Sequence, residues 1–277
     1  MQYLKQAYDY IVDFLSEQKD IFVSIIVLSI FSTFICDKYV TPTDSMYPTI
    51  QRNEFKIGTK YDYGYSSYSL SLVPIMPYMI DPIEFFSGRV LNLANPQRGD
   101  IISVYVPQDK IAYTKRIIGL PGDTVEIHNG KLIINDREIT HQKVDDYLYL
   151  NKKYHQFIET LNNGVSYKVI FNPDLDNVDE NLQAYKMRNM DKIVVPHDSY
   201  FLMGDNRDHS GDSRYDLGCV KKEWIISKIK YIIFSNETNI IDHNGSWFDT
   251  FVSMLDINKI FNWFVSIRFH RCFISVY

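Results

Sequence analysis

The sequence has little cysteine: three residues in 277, Cys36, Cys219 and Cys272. They make no C-x-x-C pair and no even framework, so neither a disulfide scaffold nor a dithiol redox motif is indicated. A Cys219–Cys272 bridge is the only pairing worth weighing, and unpaired thiols are the expectation. The seven histidines include no H-E-x-x-H and no cluster with zinc-ligand spacing, so neither a metal nor a cofactor is expected. Basic charge is not in excess. Lys and Arg number 29 against 34 Asp and Glu, a formal charge of −5, which argues against a general nucleic-acid binder. There is no internal repeat and no low-complexity segment. Long apolar runs are scarce, and one stands out, from Ile21 to Cys36, without a single charge.

What remains is the composition of a folded protein, 45% hydrophobic and 23% charged. Tyrosine (21) and phenylalanine (17) are plentiful, which suits strands and membrane-interface surfaces. As a helix, the run from Ile21 to Cys36 spans about 24 Å, short of a hydrocarbon core of ~30 Å. Tyr39 and Val40 can extend it, with Lys19 and Lys38 reaching the interfaces. A cleaved signal peptide would begin basic and end at small residues; this segment follows Asp9, Asp13, Glu17 and Asp20 and leaves through Asp37-Lys38-Tyr39. An uncleaved transmembrane anchor is therefore expected over 21–40, after a tail of residues 1–20. A buried core helix is the rival on length alone. Lysines and arginines on both sides leave its orientation open.

Beyond it the chain reads as β. Glu54–Lys60, Ile101–Val106, Ile111–Ile118, Lys192–Pro196, Tyr200–Met203 and Trp224–Phe234 carry strand patterns. Thr124–Ile134 reads as a hairpin around Asn129-Gly130. Residues 141–190 are polar and irregular, an insert. Pro74 and Pro77 break the apolar stretch 72–86, which is expected to touch membrane. Trp247, Phe248, Phe251, Val252 and Leu255 share a helical face, expected to pack on the β body. The division is a β-rich body over 41–245 and an amphipathic segment over 246–277.

Three stretches carry chemistry. In Thr41-Pro42-Thr43-Asp44-Ser45-Met46-Tyr47-Pro48-Thr49, a serine sits between two prolines that disfavour helix at the residues before them. In Ile111–Asp123, Lys115 shares a strand face with Tyr113 and Ile117 while Arg116 points away. An adjacent Lys-Arg pair is ordinarily a surface feature. A buried lysine loses its proton more readily and becomes a usable base, and Arg116 nearby would add to that effect. The third stretch, Gly204-Asp205-Asn206-Arg207-Asp208-His209-Ser210-Gly211-Asp212-Ser213-Arg214, reads by itself as a solvated acidic loop.

In this order the three stretches resemble the boxes of the type I signal peptidases, membrane-bound Ser–Lys proteases. The resemblance covers the apolar run and residues 41–234. It implies a body of curled antiparallel sheets behind one N-terminal transmembrane helix. It implies Ser45 as nucleophile and Lys115 as general base, with an oxyanion hole from the Ser45 N–H and the Thr43 hydroxyl. Ser210 matches the serine that orients the lysine amine. Asp212 and Arg214 match a supporting charged pair, and Gly204 a glycine where backbone passes close to the dyad. Thr43 replaces a common serine, Asp44 a small residue and His209 a common asparagine; His209 is a rival base. The implied partners are signal-peptide-bearing preproteins, cut after small residues in an Ala-x-Ala-like pattern, and the lipid bilayer. The implied location is a bacterial inner membrane, single-pass, with the body outside the cytoplasm, as a monomer. Two other readings stand beside it. One is a catalytically inactive, membrane-tethered binding protein. The other is a self-cleaving Ser–Lys repressor relative, which would carry a DNA-binding module where this chain has an apolar run.

Overall fold

The computed structural model describes Lys5 and residues 16–70, 86–176, 183–215, 217–238 and 257–276. Helix α1 (Lys19–Phe34) carries only apolar and hydroxyl side chains after Asp20, on every side. Ser24 and Ser29 donate their hydroxyls to the carbonyls of Asp20 and Ile25, the local satisfaction a hydroxyl needs where water is scarce. The expected anchor over 21–40 is too long. The helix ends at Phe34, and Cys36–Val40 is strand β1. Strand pairing takes those residues: Cys36–Val40 run antiparallel to Phe55–Thr59 of β2 (Glu54–Thr59). Asp37 is buried there in an ion pair with Lys60 at 3.3 Å. No helix among the described residues is long and apolar enough to cross a membrane.

The body is mainly β and antiparallel. Its strands include β3 (Ile101–Val106), β4 (Ile111–Gly119), β5 (Thr124–His128), β6 (Lys131–Ile134), β7 (Lys152–Thr160), β8 (Ser166–Phe171), β9 (Ser199–Met203) and β10 (Ile225–Ser235). One sheet runs β1-β2-β10-β3-β4-β9 and then Val220–Lys221, with Ile274–Ser275 added on β10. The order is open; its two ends do not pair among the described residues. It is nevertheless strongly curved. Lys56 on β2 and Thr114 on β4 are separated by two strands, which would place them about 14 Å apart in a flat sheet. Their side chains meet at 2.7 Å.

The expected hairpin is present: His128 pairs with Lys131 across Asn129-Gly130, both at positive φ. The other expected strands form, except that Lys222–Trp224 is a short 3-10 turn leading into β10. The expectation for 141–190 fails. That segment contains Tyr147–Tyr149, β7 and β8, and β7 pairs with Thr140–Lys143 and with β8. Its strands were hidden by their polar alternation. Glu159 is buried on β7 because it pairs with Arg207 of the third box. The stretches 72–86 and 247–256 lie outside the described residues, except Phe86, which exchanges hydrogen bonds with the Ser67 hydroxyl. All three cysteines are free and partly buried.

Candidate active site

The nucleophile box leaves β1 and turns sharply. The N–H of Tyr47 bonds to the carbonyl of Asp44, and that of Ile50 to Met46. Met46 and Ile50 anchor the turn in an apolar cluster with Tyr39, Ile101, Ile226 and Ile229. The third box holds it from the other side. Asn206 donates its backbone N–H to the Ser45 carbonyl at 3.1 Å and its side-chain amide to the Asp44 carbonyl at 3.2 Å. Ser45 is thereby buried with its hydroxyl 3.4 Å from that of Thr43.

Lys115 comes from the middle of β4, a strand sealed between β3 and β9. Leu202 pairs with Ile117 and Met203 with Arg116; continuing that register by one residue sets Gly204 across from Lys115. Lys115 is only 3% exposed. Burial strips water from its ammonium and lowers its pKa to about 8. Asp212 and Asp205 pull the other way, and Arg214 adds repulsion. Arg116, expected to supply that repulsion, does not. It points away, as alternation requires, and is neutralised by two bonds to Asp205 at 2.8 and 2.7 Å beneath the Tyr167 ring.

Gly204 is where these elements converge. Its N–H donates to Asp212 at 2.9 Å. A Cβ on it would stand 2.3 Å from Ser210 Oγ and 2.4 Å from the Ser45 carbonyl oxygen. Buried Ser210 has no hydrogen-bond partner for its hydroxyl among the described residues. Asp212 is fully buried, which by itself raises its pKa, but Arg214 outweighs that and holds the carboxyl below its ordinary value. Arg214 grips Asp212 at 2.9 and 2.8 Å and then donates to the carbonyls of Arg207 and Met187. His209 is exposed, and among the described residues it is engaged only through its backbone N–H, which donates to the Asn206 carbonyl.

The structure thus gathers Thr43 with Ser45, and Gly204 with Ser45, Ser210 and Asp212, around the register position of Lys115. A family profile described as "Signal peptidase, peptidase S26" matches residues 15–234. The chain belongs to that signal peptidase family. As a member of the S26 peptidases it is a serine endopeptidase, and the family's activity is signal-peptide cleavage. Signal peptidase I of Rickettsia bellii (strain OSU 85-389) is 38% identical over 266 residues, 94% of this chain and 85% of that protein. Signal peptidase I of Rickettsia prowazekii (strain Madrid E) is 37% identical over 246 residues, 88% of this chain and 86% of that protein. Among solved structures, a signal peptidase I from Enterococcus faecalis V583 is 32% identical; the match covers 49% of this chain and 97% of that one, with a TM-score of 0.29.

Four supports of this candidate site have partners that the sequence did not show. Asp205 accepts from both Arg116 and the Thr49 hydroxyl, tying β4 to the nucleophile box. Asp44 is gripped by Arg52 at 2.9 and 3.0 Å and by the Tyr149 hydroxyl at 2.7 Å. Glu159 on β7 binds Arg207 through both carboxylate oxygens. Lys56, the fourth, is buried against Thr114. The charges of Asp205 and Arg207 within the third box, and Asp44 in place of a small residue, were the signals; the partners of Asp205 and Arg207 are far away in sequence.

Proposed function

We propose that Ser45 and Lys115 form the catalytic dyad of a membrane-seated signal peptidase that removes signal peptides after small residues. The observation that carries this reading is Gly204: its backbone lies in register with buried Lys115 and against both the Ser45 carbonyl and the Ser210 hydroxyl. The neutral amine of Lys115 takes the proton of Ser45 Oγ as that oxygen attacks the scissile carbonyl. The carbonyl electron pair moves onto oxygen, which accepts from the Ser45 N–H and the Thr43 hydroxyl. As the tetrahedral species collapses, the C–N bond breaks and Lys115 Nζ delivers its proton to the departing amine of the mature protein. An ester between Ser45 and the signal peptide remains. Lys115, again neutral, takes a proton from water, which cleaves the ester and regenerates the Ser45 hydroxyl. Ser210 is available to hold the amine in line, with Asp212 and Arg214 fixing the loop that carries it.

A membrane seat is supported by α1, whose apolar side chains are largely exposed on all sides, Leu28 at 63%. A helix with no polar face has no stable place in water. Ser45 lies nine residues beyond Cys36, so full extension keeps it within ~32 Å of the apolar run. The body therefore works close to the bilayer; its place on the outer side of a bacterial inner membrane is what the family resemblance implies.

The test is incubation of the detergent-solubilised protein with a preprotein, followed by sequencing of the new N-terminus. Cleavage after an Ala-x-Ala-like site, lost in Ser45→Ala and in Lys115→Ala while the fold is kept, is the expected result. Loss of activity in His209→Ala with retention in Lys115→Ala would move the base to His209.

A further inference from the structure

The nucleophile turn is gripped from behind by a segment that has no part in the mechanism above. After a helix (Ile257–Val265) comes a 3-10 turn (Phe269–Arg271), and then Ile274–Ser275 pairs with Tyr231 and Ile232 of β10. Residues 266–276 are thereby brought back onto the body. Ile274 and Val276 pack against the apolar cluster that holds Met46 and Ile50. Trp263, just before this segment, stacks on Phe234 with ring centres 5.2 Å apart. All of it lies beyond residue 234, where the family profile ends.

Arg271 divides its guanidinium between two partners. Nε and Nη2 donate to the two carboxylate oxygens of Glu54 at 2.5 and 3.1 Å. Nη2 also donates to the Thr49 carbonyl at 2.9 Å. Glu54 is fully buried at the foot of the nucleophile loop. Its backbone carbonyl accepts the Thr41 N–H at 3.0 Å. Its carboxylate also accepts the Gln51 N–H at 2.7 Å and the Ser235 hydroxyl at 2.8 Å. The carboxylate thus aims the guanidinium, and charge-assisted, forked bonds of this kind are strong and directional. The Thr49 carbonyl belongs to the same peptide unit as the Ile50 N–H, which donates to the Met46 carbonyl at 2.9 Å. A peptide unit is planar, so fixing its oxygen also fixes its N–H. Met46 is the residue after Ser45. One line of contacts therefore runs from a carboxylate on β2, through a guanidinium and one rigid peptide, to the neighbour of the nucleophile. From the other side, Asp205 holds the Thr49 hydroxyl and Asn206 the Ser45 carbonyl.

We propose that Arg271 is a positioning residue for the reaction: by fixing the Thr49–Ile50 peptide it holds Met46, and with it the Ser45 hydroxyl and N–H, in line for attack on the scissile carbonyl. This inference rests on the assignment of Ser45 as nucleophile. Arg271 has no bond to Ser45 or Lys115 among the described residues. Its contribution is to the rate of the bound complex, not to substrate affinity and not to the proton affinity of the base.

The experiment is steady-state cleavage of a preprotein by the full, detergent-solubilised chain, with wild type, Arg271→Lys, Arg271→Met, Trp263→Leu and Ser45→Ala compared. A lysine keeps the charge opposite Glu54 but offers one amine where the guanidinium offers a fork, so the bond to Thr49 is lost. Arg271→Lys should lower kcat about tenfold, with KM within about twofold of wild type and the acidic limb of the pH profile unmoved. Arg271→Met, which also strips Glu54 of its cation, should lower kcat at least as far; if it does not fold, Arg271→Lys decides. Trp263→Leu loosens the attachment of the same segment without touching the turn. It should lower the melting temperature and leave kcat within about twofold of wild type. An unchanged kcat in folded Arg271→Lys, a loss confined to KM, a shifted acidic limb, or an equal fall of kcat in Trp263→Leu overturns the proposal. If Ser45→Ala is inactive and Arg271→Lys is unchanged, this inference alone fails. If Ser45→Ala still cleaves, the nucleophile assignment fails and takes the inference with it.

Discussion

The carbonyl of Ser45 lies against the backbone of Gly204, so close that a methyl group there would stand 2.4 Å from the oxygen. Real Cβ contacts essentially never come that near, and Ser210 Oγ, at 2.3 Å from the same point, blocks relief on the other side. The nucleophile box and the third box are therefore packed backbone to backbone, with Asp212 holding the Gly204 N–H in place.

Gly204→Ala is expected to displace Ser45, Ser210 or both by several tenths of an ångström. Misplacement on that scale costs catalysis heavily, and a fall in kcat of about 100-fold is anticipated. Steady-state kinetics beside a far-ultraviolet circular dichroism spectrum will separate a misplaced site from an unfolded one.

Activity should rise with pH. In the proposed mechanism only neutral Lys115 accepts the Ser45 proton, and burial brings the pKa of Lys115 to about 8. Below that value kcat/KM should climb about tenfold per pH unit, and above it should level off. A flat profile from neutral to mildly alkaline pH, with chemistry shown to be rate-limiting, would contradict a titrating lysine base.

The same burial has a stability consequence. Lys115 has a pKa of about 8 when folded, against ~10.4 in the unfolded chain. Between those values the unfolded state binds the extra proton, so folding stability rises with pH across the window, and below about 8 the full penalty applies. Lys115→Met should therefore abolish cleavage yet stabilise the protein at pH 7, by on the order of 1–3 kcal/mol. Urea denaturation of both proteins at pH 7 and pH 10 checks it; the difference should shrink at the higher pH.

Glu159 and Arg207 are both essentially fully buried. Burial works against the charged carboxylate, but Arg207 outweighs it and holds the Glu159 pKa below its ordinary value. Glu159→Gln leaves an uncompensated guanidinium inside the protein and should destabilise it by roughly 3–5 kcal/mol. In wild type, the contribution of the pair is complete above the ordinary glutamate pKa and is lost as pH falls through the folded value. Denaturant melts from pH 7 down to pH 3 should show a steeper acid loss for wild type than for the variant.

Asp44 joins the nucleophile turn to Arg52 and, through Tyr149, to the 141–190 segment. Asp44→Gly should loosen that turn. The expected result is a stability loss of about 1–3 kcal/mol and a lower kcat at little change in KM. Thermal melts and initial rates measure the two effects separately.

Much of this protein was legible in its sequence because the relevant physics is local. The Asn129-Gly130 turn needs two residues at positive φ, and both stand where the hairpin requires them. Alternation along 111–118 put Lys115 and Arg116 on opposite faces before any partner was known, and the three boxes announced the family by their order. What tertiary structure alone decided is long-range. Cys36–Val40 look like the end of an apolar helix but are a strand, because β2 offers a hydrogen-bond ladder. The polar alternation in 152–171 concealed two strands, because the buried charge of β7, Glu159, finds its partner more than forty residues away, in the third box. Arg116 was expected to repel a proton from Lys115 and instead belongs to Asp205, 89 residues on. Lys56 gave no sign of its place, since only the curvature of the sheet brings β2 over to Thr114. Local pattern fixes which face a side chain takes; it cannot say which distant charge will be waiting there.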